Sequence, residues 1–402
     1  MTDVIVVVNS GSSSLKFALF PAGTHTSEPL VEGKVTGIGR QPNLTATVEG
    51  EAAAVTEPLK NIPADATHEW LITQLLERLH SRYVAFTPVA AGHRVVHGGR
   101  EFTGPVVVDE VIREKLERLV TLAPLHQPHN LAAIDAIATV APGMPQIACF
   151  DTSFHRTQPR LARLFALPRE LTDEGIIRYG FHGLSYEYIA AALPEQLGIL
   201  ADGRVIVAHL GNGASMCAMQ GRQSVATSMG FTALHGLMMG CRCGSLDAGV
   251  VLHLLQNRGM STAQVQHMLY RESGLLGVSG ISNNMQVLQE CADPKTREAI
   301  DLFCYRAACE LGSLVTALEG LDAIVFTAGI GENSAEVRRR ICERLAWLGV
   351  ELDQTANDAD ETVISAADSK VDVLVVPTNE EAVIAKATRA MIAAPFVEGG
   401  AS

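Results

Sequence analysis

Apolar residues open the chain as an unbroken run, Val4 to Val8, and return as Leu15, Phe17, Ala18 and Leu19. Between the two runs stand Asn9, Ser10, Gly11, Ser12, Ser13 and Ser14, and Lys16 interrupts the second. This pattern predicts two buried strands joined by a polar turn. Short strands are expected to follow in "VEGKVTGIG" and "LTATVEG". From His68 to Tyr83 the apolar positions (Trp70, Leu71, Leu75, Leu76, Leu79) change to helical spacing. "VAAGHRVVHGGR" reads as a strand entering a glycine-rich loop. "EVIREKLERLVTLAPLH" and "NLAAIDAIATVAPG" read as helices, stopped near Pro124 and at Pro142-Gly143. "PQIACFDTSFH" reads as a buried strand ending at Asp151.

The plan then repeats. "RVIVAHLGNGASMCAMQGRQ" is again an apolar strand, a Gly/Asn/Ser turn and an apolar strand. "DAIVFTAGIGENSAEVRRRICERLAWLG" predicts a strand, a glycine turn and a helix. Asn333 and Glu336 have capping-box spacing, and Val337, Ile341, Leu345 and Leu348 form one stripe. "VDVLVVPTNEEAVIAKATRAMIAA" predicts a strand then a helix, with Thr378 and Glu381 spaced as its capping box. "LLGVSGISNNMQVLQECADP" mixes loop and helix. Two hairpins with donor-rich turns, near residues 11 and 212, suit two α/β lobes facing across a cleft. Such turns aim backbone N–H groups and hydroxyls at one point, which makes an anion cradle. One such turn is most simply an ordinary hairpin turn. Two of them, with Gly329-Ile330-Gly331, favour phosphate binding.

At 402 residues the chain is long enough for two domains. A net charge of −13 with no dense basic cluster argues against nucleic acid as a partner. No apolar run approaches the ~20 residues of a membrane span, and no signal-peptide pattern opens the chain. The eight cysteines form no C-x-x-C pair, and reduced cytoplasmic thiols are expected. There is no Walker G-x-x-x-x-G-K-[ST], no protein-kinase H-R-D and D-F-G set, and no dinucleotide fingerprint, since "AHLGNGAS" leads into a strand. His93, His97, His129 and His155 lack metal-ligand spacing.

Nine segments in order resemble the acetate kinase family: "VNSGSSSLKF", "GHRVVHGGREF", "APLHQPHN", "CFDTSFH", "RYGFHGLSY", "HLGNGAS", "TSMGFTALHGLMMGCRCGSLD", "FTAGIGENS" and "PTNEEAVIA". The resemblance runs from Val8 to about Ala385. It implies the actin, Hsp70 and sugar-kinase superfold: α/β, with two ribonuclease-H-like lobes around a nucleotide cleft. The boundaries expected are an N-terminal lobe over 1–150, completed by a C-terminal helix over 382–402, and a nucleotide-binding and dimerisation lobe over 151–381. The activity implied is reversible transfer of phosphate from ATP to acetate with Mg²⁺, Mn²⁺ being an alternative, in a cytoplasmic homodimer.

The resemblance also implies roles. Arg94 is expected on the substrate carboxylate and Arg242 on the transferring phosphoryl group, where forked guanidinium donors suit both. His182 would donate to the phosphoryl oxygens of the transition state; His126 and His209 would line the site. Asp151, ending a buried strand, is either an Asx turn or a catalytic carboxylate. Asn9 and Glu380 are the expected metal residues, Glu381 being assigned to the cap. Val96, Leu125 and Phe181 would wall the acyl pocket. Ser12, Ser14, Lys16, His209, Leu210, Gly211, Asn212 and Gly213 would hold phosphates. Asn284, Met285, Gln286, Gly329, Ile330, Gly331 and Asn333 would bracket the rest of the nucleotide.

Five positions, in three places, depart from the family pattern. Ala233 and His235 replace Pro and Glu, Ala226 replaces an Asp, and Asn284 and Gln286 replace the Asp and Arg of the adenosine loop. The acyl pocket is expected to be wider, leaving propionate or butyrate as alternatives to acetate, and GTP as an alternative to ATP. Two other classes compete: a non-catalytic nucleotide binder of the same superfold, and a metallohydrolase built on the histidines.

Overall fold

The computed structural model of the chain describes residues 2–10, 14–24, 26–36, 43–48, 55–58, 70–71, 73–74, 77 and 86–393. They form two compact units, Met1–Ser153 with Asn379–Ser402, and Phe154–Thr378.

The first unit is built on an eight-stranded sheet in the order β5-β4-β3-β2-β1-β6-β8-β7. Its strands are β1 (Thr2–Ser10), β2 (Ser14–Pro21), β3 (Val31–Thr36), β4 (Asn43–Val48), β5 (Val55–Pro58), β6 (Phe86–Val95), β7 (Val106–Val107) and β8 (Gln146–Phe150). β1, β2 and β3 pair antiparallel, whereas β1, β6 and β8 run parallel. The apolar run of β1 is buried from Val4 to Val8, as a central strand covered on both faces requires. Helix Gln127–Val140 supplies Ala133, Ala136 and Ile137 to one core cluster and Leu131 and Ile134 to another. Helix Glu380–Ala393 packs close against β6 because Gly92 has no side chain. A Cβ there would lie 2.4 Å from Thr388 Oγ1 and 2.6 Å from Ile384 Cγ2. Of the helix expected over 68–83, the described residues 70, 71, 73, 74 and 77 are helical and Leu71 is buried.

The second unit repeats the plan with five strands, β11-β10-β9-β12-β13. These are β9 (Arg204–Leu210), β10 (Ala214–Gln220), β11 (Gln223–Thr227), β12 (Ala323–Thr327) and β13 (Asp372–Val375). Again three antiparallel strands precede two parallel ones. The order β3-β2-β1-β6-β8 thus has its counterpart in β11-β10-β9-β12-β13. Helix Gly183–Leu197 sends Tyr186, Ile189 and Leu193 onto the sheet. The longest helix, Pro294–Leu318, starts from an Asp293 cap with Pro294 in its first turn and was not among the expected elements.

Two expected caps sit one residue further on. Ser334, not Asn333, caps helix Ala335–Glu343 by accepting from the Val337 N–H, while Asn333 ends the preceding helix and donates to the Gly329 carbonyl. Asn379, not Thr378, accepts from the Ala382 N–H at the start of the last helix. Glu381 therefore makes no capping box and is available to the site. The expected glycine turn at 329–331 is part of a short helix, Ala328–Asn333, entered through Ala328 at φ 63°.

Burial sets the acid response. His93, His97 and His155 are all buried. Desolvation lowers each from 6.5 to about 4, outweighing the opposing bonds that His93 donates to the Gln146 side-chain oxygen and His155 to the Phe181 carbonyl. Unfolded, each titrates at about 6.5. Between those values the unfolded chain binds more protons, so stability rises with pH and is lost as pH falls from about 6.5 to about 4. At roughly 1.4 kcal/mol per pH unit, each histidine accounts for on the order of 3 kcal/mol. Thermal melts across pH 7 to 4 should show a steep fall in Tm within that window, reduced by His93→Gln; a flat profile would refute the assignment.

Candidate active site

In the first unit, the carboxyl ends of three adjacent parallel strands gather the chemistry, which is where open α/β sheets bind ligands. Asn9 stands near the end of β1, Arg94 near the end of β6, and Asp151 follows β8. The Asp151 N–H bonds the Val95 carbonyl, which seats it beside Arg94. Arg94 donates from Nε to Asp151 Oδ1 at 2.9 Å and from Nη2 to Oδ2 at 2.6 Å. Its Nη1 donates to Asn9 Oδ1 at 3.2 Å. Asn9 Nδ2 in turn donates to Glu380 Oε2 and Glu381 Oε1. Burial works against the guanidinium charge, but Asp151 and Glu380 raise the Arg94 pKa further above its ordinary value, with a smaller contribution from Glu381. Asn130 is buried and ties two of these strand ends together. It accepts from the Val96 N–H at 3.0 Å and donates to the Ser10 carbonyl at 2.7 Å.

Three carboxylates and one guanidinium share this cluster, Asp151 and Glu380 beside Arg94 and Glu381 on Asn9, an excess of two negative charges. All the acceptors are hard oxygens. Mg²⁺ takes one or two carboxylates and keeps several waters, so the donor set fits such an ion. Among the described residues, no three or more His, Cys, Asp or Glu side chains form a ready-made metal cage.

In the second unit, the turn between β9 and β10 is closed by the Gly211 N–H on the Gly213 carbonyl. Gly213 is the meeting point: a Cβ placed there would lie 3.3 Å from His182 Nε2 and 3.9 Å from Arg242 Nη1. Arg242 Nη1 also donates to the Ala233 carbonyl at 3.0 Å. His182 sits at φ 58°, a left-handed conformation uncommon for a residue with a side chain. It does not cap the helix that it begins. Its Nδ1 meets Ser215 Oγ at 2.8 Å, and its ring stacks on His209 at 4.2 Å.

Beside this turn lies a cavity of about 690 Å³, large enough for a nucleotide. Gly211, Asn212, Asn284, Met285, Gln286, Gly329, Ile330 and Asn333 line it, all of them expected; Asn283, Gln289 and Ser334 also line it and were missed. Asn284 spends its side-chain oxygen on the N–H groups of Gln286 and Val287, and Gln286 donates to Glu290. Asn212 needs a glycine at 240, where a Cβ would fall 2.0 Å from Asn212 Oδ1. Gly240→Ala should therefore leave the fold intact but turn Asn212 away. The nucleotide KM should rise about tenfold, the loss of one polar contact. Calorimetric nucleotide titration checks this, and unchanged affinity would show that Asn212 does not touch the ligand.

A model of the acetokinase family matches residues 4–386, nearly the whole chain. The chain belongs to the acetokinase family. An acetate kinase of Rhodopseudomonas palustris is 52% identical over 391 residues, covering 96% of this chain and 98% of that relative. Among solved structures, a propionate kinase from Francisella tularensis superposes with a TM-score of 0.89 at 37% identity, covering 96% of this chain and 99% of that one. Porphyromonas gingivalis acetate kinase superposes with a TM-score of 0.85 at 34% identity, covering 97% and 100%.

Within this acetokinase-family chain the remaining expected residues fall as follows. His209 and Leu210 end β9, and Gly331 is buried in the Ala328–Asn333 helix. Val96 and Phe181 are buried and Leu125 is half-buried. His126 immediately precedes helix Gln127–Val140. Ser14 begins β2, and Lys16 pairs across from Asn9 with its side chain exposed. Ser12 lies outside the described residues.

Proposed function

We propose that the chain catalyses reversible, direct transfer of the γ-phosphoryl group from ATP to acetate, giving ADP and acetyl phosphate. The observation that carries this is the convergence of His182 and Arg242 on Gly213, beside a nucleotide-sized cavity. Phosphoryl transfer asks mainly for positioning and for charge around the moving group.

Acetate is already ionised at pH 7, so no general base is required. Arg94, oriented by Asp151 and Asn9, binds its carboxylate through N–H groups that those partners leave unspent. A carboxylate oxygen attacks the γ-phosphorus in line, and the bond to the bridging oxygen breaks with its electrons leaving on ADP. Arg242 and His182 hold the equatorial oxygens as charge redistributes. The turn at Gly211, Asn212 and Gly213 grips the β- and γ-phosphates. Asn284, Met285, Gln286, Gly329, Ile330 and Asn333 surround the adenosine and α-phosphate. Asn9 and Glu380, with Asp151 and Glu381 beside them, would hold Mg²⁺ or Mn²⁺ through water, which would supply positive charge to the phosphates.

A homodimer is supported by helix Ala248–Gln256, which is apolar yet buries no residue; Val250 is 40% and Leu252 52% exposed. Sedimentation of the full chain tests it, a monomer at all concentrations being the contrary result. With ATP as donor, we place the enzyme in the cytoplasm; among the described residues no helix is long and apolar enough to cross a membrane. Propionate is the second acceptor to consider, because Ala233 stands where the family carries proline and a solved relative is a propionate kinase. A hydrophobic pocket discriminates one methylene by only about 1–3 kcal/mol. Phosphorus NMR of protein, ATP, Mg²⁺ and acetate should show acetyl phosphate growing in step with ADP. Release of inorganic phosphate alone would favour a nucleotide-hydrolysing relative.

A further inference from the structure

Behind His182 lies a short chain of hydroxyls that the reaction does not use directly. Ser215 Oγ stands 2.8 Å from His182 Nδ1 and is also hydrogen-bonded to the Tyr186 hydroxyl. Tyr186 and Ser215 are both fully buried, away from bulk water.

The direction of this chain follows from counting protons. A buried phenol has one proton and must donate it. Among the described residues, the hydrogen-bond partner of the Tyr186 hydroxyl is Ser215 Oγ. With that oxygen accepting from Tyr186, the serine proton is left to point at His182 Nδ1. An imidazole nitrogen that accepts carries no proton, so the ring proton sits on Nε2. Nε2 is the nitrogen that faces Gly213, the residue Arg242 Nη1 also approaches. The His182 ring also stacks on His209, itself held through Nδ1 by Ser185 Oγ at 2.8 Å. Burial pushes the Tyr186 hydroxyl well above its ordinary pKa, ahead of a smaller contribution from Cys217. It therefore stays a donor at any working pH.

We propose that Tyr186, acting through Ser215, fixes His182 as the neutral tautomer protonated on Nε2, so that it donates to the phosphoryl oxygens without serving as an acid. Tyr186 and Ser215 are thus positioning residues. The inference rests on the kinase reading for its consequence, but the tautomer itself can be read without substrate. A neutral donor stabilises the moving phosphoryl group and cannot lose its charge between pH 6 and 8. The left-handed backbone at His182 suits this role, because it turns the side chain away from capping and toward Ser215.

The test is ¹⁵N NMR of the full chain labelled at histidine, with Tyr186→Phe and Ser215→Ala as variants. The wild-type His182 signal should show a protonated Nε2 and an unprotonated Nδ1, unchanged from pH 6 to 8. In both variants the two nitrogens should move toward averaged shifts. The variants should lose about tenfold in kcat, the cost of one misdirected hydrogen bond, with KM for ATP and acetate within about twofold of wild type. A merely structural tyrosine would move Tm but not the tautomer. An Nδ1-protonated or doubly protonated His182 in the wild type overturns the proposal, even if neither variant folds. If no acyl phosphate forms but the tautomer is as stated, the kinase reading fails while the relay stands.

Discussion

Arg94→Ala should lower kcat/KM for acetate by about 10³-fold, raising KM and lowering kcat together, as expected for a group that binds and orients the attacking carboxylate. The structure adds a second consequence. Arg94 holds both oxygens of Asp151, which is 1% exposed. Removing the guanidinium takes both of those bonds from a buried carboxylate, at a cost of about 3–5 kcal/mol in stability. The two effects separate by mutation. Arg94→Ala with Asp151→Ala should recover most of the stability and none of the activity. Arg94→Lys keeps the charge but not the fork, and should recover little of either. Steady-state kinetics beside urea titrations read both quantities. Wild-type acetate kinetics in Arg94→Ala would remove Arg94 from the acyl site.

Arg242→Ala should lower kcat by about 10²–10³-fold with little change in either KM, because its charge matters most once the phosphoryl group is in flight. In the resting structure its Nη1 donates to the Ala233 carbonyl and also reaches Met239 Sδ. Guanidinium ion added to the variant should restore part of the lost rate by occupying the vacated space beside Gly213. A variant that loses nucleotide affinity and keeps its kcat would make Arg242 a ground-state phosphate binder.

The two hairpins were legible because period and turn chemistry are local. Val4–Val8 and Val205–Leu210 are apolar runs that end in residues able to form tight turns. The paired β-β-β-β-β order follows from their repetition. The assembly of Asn9, Arg94, Asp151 and Glu380 was not legible from spacing, since Asn9 and Glu380 are 371 positions apart. It came from family resemblance, and physically from three strands ending side by side with a helix seated over Gly92. The caps slipped by one residue at Ser334 and Asn379. In each place two adjacent polar residues could cap, and spacing does not choose between them. The same slip hid Glu381 from the candidate site. Asn283, Gln289 and Ser334 were missed because polar side chains on a loop and on helix surfaces give no pattern until the walls of a cavity bring them together.

Trapping of acyl phosphate with hydroxylamine tests the central claim most directly. The purified full chain would receive ATP and Mg²⁺ with acetate, propionate or butyrate in turn, then GTP in place of ATP. The expected result is rapid hydroxamate formation with acetate, graded slower turnover of the longer acids, and near-complete loss in Arg94→Ala. Folded protein that forms no hydroxamate with any acid or nucleotide would contradict the account.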